Sequence, residues 1–436
     1  MAAKIGRDTR GTPDAWADLD FPGGREYRLA RNRGGMEAAG RTSSLAERSR
    51  RMAATPTTGV PLCDIQASYR ELRPQFEAAL ARVLESGQVI LGPEVAALEE
   101  EIARYCSAGF GVGCGSGTDA LSLALHALEI GPGDEVILPT FTFFATAGSV
   151  CRTGARPVFV DIDPATYNLD PYQVENKITP RTRAILVVHL YGQCADMEQL
   201  WNVAERHDVV IIEDAAQALG AEYQGKRAGS LGGLACLSFY PTKNLGGFGD
   251  GGMVVTRDPD WAARMACLRV HGMEPKYYHK YLGWNARLDA LQAALLRVKV
   301  PHLDRWIDAR QAAAKRYDAL IEEHHLGHFL RRPVVRPHRR HTFNQYVVRV
   351  ADHERDALVQ WLKADRIGCE IYYPLPLHLQ ECLAYLGHQA GEFPAAEEAC
   401  RSVLALPIFP EITLEQQHRV VASCAAFLRK RSRMVA

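Results

Sequence analysis

The sequence predicts an α/β fold built on a mainly parallel sheet, and three observations predict it. Short β-branched runs recur between Glu135 and Thr256: EVILP, RPVFVDID, RAILVVHLYG, VVIIEDAA, LACLSFY and GGMVVT. Runs this short, bounded by turn residues, form buried strands rather than helices. Helical segments such as MEQLWNVAERHD separate several of them, and strand–helix alternation places helices on both faces of a parallel sheet. At 436 residues the chain is too long for one small core, and after Thr256 the pattern changes, so a second, smaller domain is expected.

The elements follow in order. Residues 1–58 are rich in Arg, Gly, Ala, Ser and Asp without a sustained apolar period, and they carry no apolar secretory h-region. They are expected to be a disordered extension. VPLCDIQASYREL opens the folded part. ELRPQFEAALARVLESG has helical spacing and stops at Gly87, EVAALEEEIARYC is a second amphipathic helix, and TDALSLALHALEIG is a third, closed by Gly131. The large domain, 59–272, holds these helices and the strands. Residues 273–436 read as a smaller α+β domain. It has a long helical stretch broken at Pro301, the strand NQYVVRV, and the helix ERDALVQWLKADRIG stopping at Gly368. EEACRSVLALP and LEQQHRVVASCAAFLRKR close it.

Composition narrows the function. The 51 basic residues balance 51 acidic ones, which gives no reason to expect nucleic acid or an anionic membrane as partner. No apolar run reaches the ~18 residues needed to span a bilayer. The 11 cysteines include no C-x-x-C and no Cys/His cluster with zinc spacing. They read as reduced thiols of a cytoplasmic protein, with no metal site.

The stretch SFYPTKNLGGFGDGG, Ser238–Gly252, carries two signals. Gly247–Gly252 fits G-x-G-x-x-G, but a dinucleotide loop opens a helix, and here the strand MVVT follows. The glycines are therefore expected to serve a tight turn, and Lys243 becomes the residue of interest. An interior lysine is costly unless paired or deprotonated, and a lowered pKa is what Schiff-base chemistry needs. The plain alternative is a surface lysine in a glycine-rich turn. Upstream, GCGSGTDALSLALHAL places Gly113, Gly115 and Gly117 before Thr118 and an apolar helix, and helix N-termini bind anions. The alternative there is a turn with Ser116 or Thr118 as N-cap. Asp214 ends a buried run, at the strand end where α/β sheets bind ligands, with Gln217 about one turn on. A helix cap or ion pair is the alternative. An anion site, a strand-end carboxylate and an interior lysine are together the parts that a pyridoxal phosphate (PLP) site needs. PTFTFFATAG supplies aromatics: Phe143 is chosen to stack on the ring, Phe141 and Phe144 to pack in the core.

The motifs GSGTDAL, GPGDEVILPTFTFFAT, PVFVDIDPATYNLDP, EDAAQALGA, SFYPTKNLGGFGDGG, GWNARLDALQAALL and YYPLPLHLQ run in order from about Pro61 to the C-terminus. They resemble the DegT/DnrJ/StrS family of PLP-dependent nucleotide-sugar aminotransferases. The resemblance implies fold type I, the aspartate aminotransferase-like fold, and a homodimer with shared active sites. It implies Lys243 as the Schiff-base lysine and proton carrier, Asp214 as partner of the pyridine nitrogen, and Gln217 beside the ring hydroxyl. It places Phe143 on the ring and Gly117, Thr118 and Ser238 on the phosphate. Asn285 would reach the phosphate of the neighbouring subunit. Ala286 stands where many members have serine, which puts the local turn in question. The implied substrates are L-glutamate and a nucleotide-diphosphate keto-sugar. GPEVAALEEEIA, YNLDP, YGQCADME and RVHGMEPKYYH look most like members acting at C3, nearest the UDP-2-acetamido-2-deoxy-3-oxo-glucuronate aminotransferase group. A 4-keto sugar or a dTDP-3-keto-6-deoxyhexose is the alternative acceptor. Lys276, Tyr277, His279, Tyr373 and His378 are the candidate contacts to sugar or carboxylate. A sugar dehydratase of the same fold would carry histidine in place of Lys243. A non-catalytic regulator is the remaining reading, and no helix-turn-helix or basic patch speaks for it.

Overall fold

The computed structural model describes residues 59–435, Asp352 excepted, so the extension expected at 1–58 lies outside the described residues. The strands are β1 (Phe110–Cys114), β2 (Glu135–Pro139), β3 (Arg156–Val160), β4 (Thr182–Val188), β5 (Val210–Asp214), β6 (Glu222–Tyr223) and β7 (Lys226–Arg227). They continue as β8 (Leu234–Ser238), β9 (Gly252–Thr256), β10 (Leu330–Arg331), β11 (Arg339–Arg340), β12 (Tyr346–Val350) and β13 (Val403–Leu406). Seven of them form the central sheet in the order β1-β9-β8-β5-β4-β2-β3. It is parallel from β3 through β8, and β9 runs antiparallel to both its neighbours. The sheet is thus mainly parallel and mixed.

The six runs read as strands all lie in this sheet. The period of two explains why it is buried on both faces. In β4, Ala184, Leu186 and Val188 enter one core while Ile185 and Val187 enter the other. The first face is covered by α3 (Gly117–Ala127), α4 (Ala145–Arg152) and α6 (Pro259–Leu268). The second is covered by α1 (Ile65–Ser86), α2 (Pro93–Tyr105), α5 (Met197–His207) and α7 (Ala290–Lys299).

Three features differ from or add to the sequence reading. β1 was not anticipated as a strand, because FGVGC is glycine-rich; a Cβ on Gly111 would stand 2.6 Å from the Glu99 carbonyl oxygen, so α2 can lie this close only over glycine. Helix α3 ends at Ala127, not at Gly131, where the N–H is taken by the Asp134 carboxylate instead. And α7, counted by sequence with the C-terminal domain, packs into the second core of the large sheet. The break at Pro301 is present as the 3₁₀ turn Val300–His302 between α7 and α8 (Leu303–Glu323). Beyond it, α8, α9 (Arg355–Ala364) and α11 (Leu414–Val435) cover the antiparallel sheet β10-β12-β13, and α10 (Pro394–Ser402) packs into the first core.

Candidate active site

Strand register brings the candidate residues to one edge of the sheet. Cys114, Gly252 and Ser238 are successive partners across β1, β9 and β8, and Asp214 pairs with Cys236. The chain leaves β1 into α3, leaves β5 at Asp214, and leaves β8 at Ser238 five residues before Lys243.

Ser116 caps α3, its Oγ accepting the Asp119 N–H at 3.0 Å. The N-cap and anion-site readings therefore coexist: Gly117 and Thr118 open the first turn, whose N–H groups a helix leaves without intrahelical partners. A Cβ on Gly117 would stand 2.8 Å from Ser238 Cβ, and one on Gly252 would stand 2.3 Å from the Ser116 carbonyl oxygen. Glycine is what lets the helix start, Ser238 and β9 close into a single cradle.

Asp214 is buried. It accepts hydrogen bonds from Thr146 Oγ1 at 2.8 Å and from the Ala216 N–H at 3.3 Å. Burial raises its pKa, and the two donors and the Lys243 charge oppose that rise. Gln217 is oriented by its acceptor side: Oε1 takes the Tyr191 N–H at 2.6 Å, which leaves Nε2 as the outward donor, 3.3 Å from the Tyr373 hydroxyl. Lys243 is half-buried as a residue, but its amine is desolvated. Burial pulls its pKa down to about 8, with the Asp214 charge acting in the opposite sense. Roughly a tenth of the amine is then neutral at pH 7, several hundred-fold more than for an ordinary lysine.

Phe143 follows β2 and is 58% exposed, with its ring 6.1 Å from that of Tyr373. A large apolar surface left open beside buried polar groups suits a stacking face. Phe141 is core, as expected, but Phe144 is 43% exposed: it stands at the start of α4 with its ring against Gly148. Asn285 is exposed, next to a segment tied to the cradle. The Ala286 carbonyl accepts the Gly115 N–H at 3.1 Å, the Ala286 N–H donates to Arg269, and Trp284 Nε1 donates to Asp119 at 3.0 Å. Backbone bonds hold the turn, so alanine in place of serine leaves it intact.

The candidate substrate contacts divide. Tyr373 stands at the site, between Gln217 and Phe143. Lys276, Tyr277 and His279 lie on an exposed loop, Tyr277 at 77% exposure, with His279 Nδ1 bonded to the His271 carbonyl. Within the single chain this loop makes no described contact with Lys243. His378 is buried, bonded through Nδ1 to Thr140 Oγ1 at 2.8 Å and packed on Phe393; that position fastens the segment around Leu377 to the end of β2 and offers no open face to a sugar.

Two contributors were missed from sequence. Thr146 lies one helical turn past Phe143 in a stretch valued only for its aromatics. Tyr191 takes a left-handed backbone (φ 59°) that aims its N–H at Gln217, and only the glycine beside it in LYGQ signals a turn. Among the described residues, no group of three or more His, Cys, Asp or Glu is arranged to hold a metal ion, and no helix is long and apolar enough to cross a membrane.

The buried amine has a measurable consequence for the cofactor-free protein. The Lys243 pKa is about 8 when folded against 10.5 as the ordinary value, so between these the unfolded chain holds more protons and stability rises with pH. Lys243→Met is expected to raise stability by up to about 3 kcal/mol below pH 8, the gain disappearing by pH 10.5. Urea titration of both proteins reads the effect as a difference, which cancels the buried tyrosines and thiols common to both. A gain that persists undiminished at pH 10.5 would contradict it.

The edge suits a phosphorylated heteroaromatic aldehyde. The start of α3 beside Ser238 offers free N–H groups that fit a phosphate, the buried Asp214 carboxylate fits a cationic ring nitrogen, Gln217 Nε2 is left as an outward donor, and the desolvated Lys243 amine fits a carbonyl. On this sheet, such a site defines the class of PLP enzymes of fold type I. Residues 70–425 match the DegT/DnrJ/EryC1/StrS aminotransferase family. The chain belongs to that family and is a PLP-dependent sugar aminotransferase. It is 52% identical over 370 residues to a Geobacillus stearothermophilus protein named pleiotropic regulatory protein, covering 85% of this chain and 99% of that one. It is 46% identical to the UDP-N-acetyl-3-dehydro-α-D-glucosamine 3-aminotransferase of Acidithiobacillus ferrooxidans, covering 84% and 97%. Among solved structures, that of S. venezuelae DesV superposes with a TM-score of 0.81 at 46% identity, covering 85% of this chain and 98% of that one.

Proposed function

We propose that the protein, as a homodimer with shared active sites, transfers the amino group of L-glutamate to the C3 keto group of a nucleotide-diphosphate sugar, in amino-sugar or cell-surface polysaccharide biosynthesis. The observation that carries this is the joint placement of Lys243, Asp214 and Gln217 beside the α3 cradle. The C3 preference rests on likeness to the Acidithiobacillus 3-aminotransferase.

PLP, when bound, supplies a carbonyl that carries the amino group and a ring that takes up electrons. Gly117, Thr118 and Ser238 would hold its phosphate, with Asn285 of a second copy completing the cradle. Phe143 would stack on the ring. Asp214 would keep the ring nitrogen protonated, and Gln217 Nε2 would donate to the ring oxygen. Lys243 Nζ would take the proton from the amino-bearing carbon and return it on the other side of the reaction, which a pKa lowered to about 8 favours. Lys276, Tyr277 and His279 are proposed to face the sugar of the neighbouring subunit.

The purified protein is expected to be yellow with PLP and to lose that band on adding L-glutamate. With 2-oxoglutarate and a panel of amino nucleotide sugars, the 3-amino compounds should react in reverse. Reaction of 4-amino sugars alone would move the keto position to C4. The name of the 52% identical Geobacillus protein favours a regulator as second reading; a protein that stays colourless with added PLP would support it.

A further inference from the structure

The glycine-rich segment after Lys243 lies against α7, and two side chains of that helix grip it. Gln292 and Lys299 are seven residues apart, two turns, so they share one face of the helix. Gln292 Oε1 accepts the Phe248 N–H at 3.0 Å. Lys299 is 5% exposed, and its Nζ donates to the Gly246 carbonyl at 2.5 Å, between the rings of Phe248 at 5.5 Å and Trp306 at 5.6 Å. Among the described residues no acid forms an ion pair with it.

The glycines fit this grip. A Cβ on Gly247 would stand 2.9 Å from Gln292 Oε1, one on Gly249 would stand 2.9 Å from Gln292 Nε2, and one on Gly251 would stand 3.1 Å from Leu288 Cδ1. A Cβ on Gly246 would stand 2.2 Å from the Pro241 carbonyl oxygen, so the turn around Lys243 also closes only over glycine. Residues 241–251 form no strand or helix. Their internal ties include the Lys243 N–H to the Tyr240 carbonyl at 2.8 Å and the Gly247 N–H to the Phe239 carbonyl at 2.7 Å. A buried ammonium held by one carbonyl costs stability that an apolar residue of the same length would not.

We propose that α7 is the clamp of the Lys243 loop, with Lys299 a positioning residue that acts on Lys243 through the Gly246 carbonyl and Gln292 the second grip. This rests on Lys243 being the reacting amine, and its test does not need the reaction. Burial holds the Lys299 pKa down to about 8, with the Cys63 and Glu411 charges acting in the opposite sense.

The test is amide hydrogen exchange on the cofactor-free protein. Lys299→Met keeps the apolar stem and removes the donor. It is expected to speed exchange of peptides spanning 240–252 about tenfold, as loss of one hydrogen bond allows, while α7 and β8 keep their protection. PLP, added afterwards, should form its borohydride-reducible adduct with Lys243 several-fold more slowly. Gln292→Ala, at a half-buried position, gives the same local loosening and carries the test should Lys299→Met fail to fold. Unchanged exchange at 240–252, or exchange rising equally through α7 and α8, would overturn the clamp. A protein that takes up no PLP would refute the proposed function, while the exchange result would still decide the clamp.

Discussion

Lys243→Ala is expected to give a folded protein that still binds PLP yet transaminates at least roughly 10³-fold more slowly, within the range that positioned acid–base groups supply. The cofactor stays because the cradle at Gly117, Thr118 and Ser238 and the carboxylate of Asp214 are untouched. The rate falls because no other described amine stands at the β5–β8 edge to take the carbon-bound proton. Lys243→Arg should lose as much despite keeping the length and charge, because a guanidinium does not deprotonate in a protein. Borohydride treatment separates this from simple loss of binding. Wild type should retain a covalently reduced label on the peptide carrying Lys243, and the alanine variant should hold PLP but retain none. A small primary amine added to the alanine variant should restore part of the rate by supplying the missing base. An alanine variant with more than a tenth of wild-type activity would remove Lys243 from the role given to it.

In the sequence Lys243 stands out because several independent constraints meet on it. Phe143, Asp214 and Lys243 each stand at or just past the end of a run read as a strand, and strand ends on one sheet edge are where α/β folds bind ligands. The run lengths also exposed the G-x-G-x-x-G match as a connection into β9 rather than the opening of a helix. Sheet order was not legible. Nothing local places β8 beside β5 and β9 beside β1, and it is this order that puts Ser238 level with Cys114 and Asp214 near Lys243. Contacts between distant segments were equally hidden: Tyr191 to Gln217, Thr146 to Asp214, and His378 to Thr140, 238 residues away in sequence. His378 shows the limit plainly. A histidine in YYPLPLHLQ suggests a polar contact to substrate, and only the packing of Phe393 and Thr140 around it reveals a fastener between segments.

Asp214→Asn carries the second large effect, and it tests whether the charge or the shape of the carboxylate matters. Asparagine fits the same space and can keep the Thr146 hydroxyl as a donor to its amide oxygen. It cannot balance a protonated ring nitrogen. At about 4 Å and an effective dielectric of about 20, that attraction is worth about 4 kcal/mol, so transamination is expected to drop on the order of 10³-fold with PLP still bound. The same substitution removes the one anion that raises the Lys243 pKa, so the pKa should fall further below 8; a pH titration of the rate at which borohydride-reducible adduct forms would read that shift as a displacement to lower pH. Stability should move the other way from activity. Burial raises the Asp214 pKa above its ordinary 3.8, so the folded state holds more protons than the unfolded one across that window, and stability is lost as pH rises through it. At pH 7 the cofactor-free asparagine variant should therefore be at least as stable as wild type, a result that urea denaturation can check. A variant both slow and clearly destabilised would make Asp214 a structural residue, held by Thr146 and Ala216 for the sake of the β5 terminus. A variant that is slow and stable shows a carboxylate kept at a cost to the fold for the charge it presents at the sheet edge.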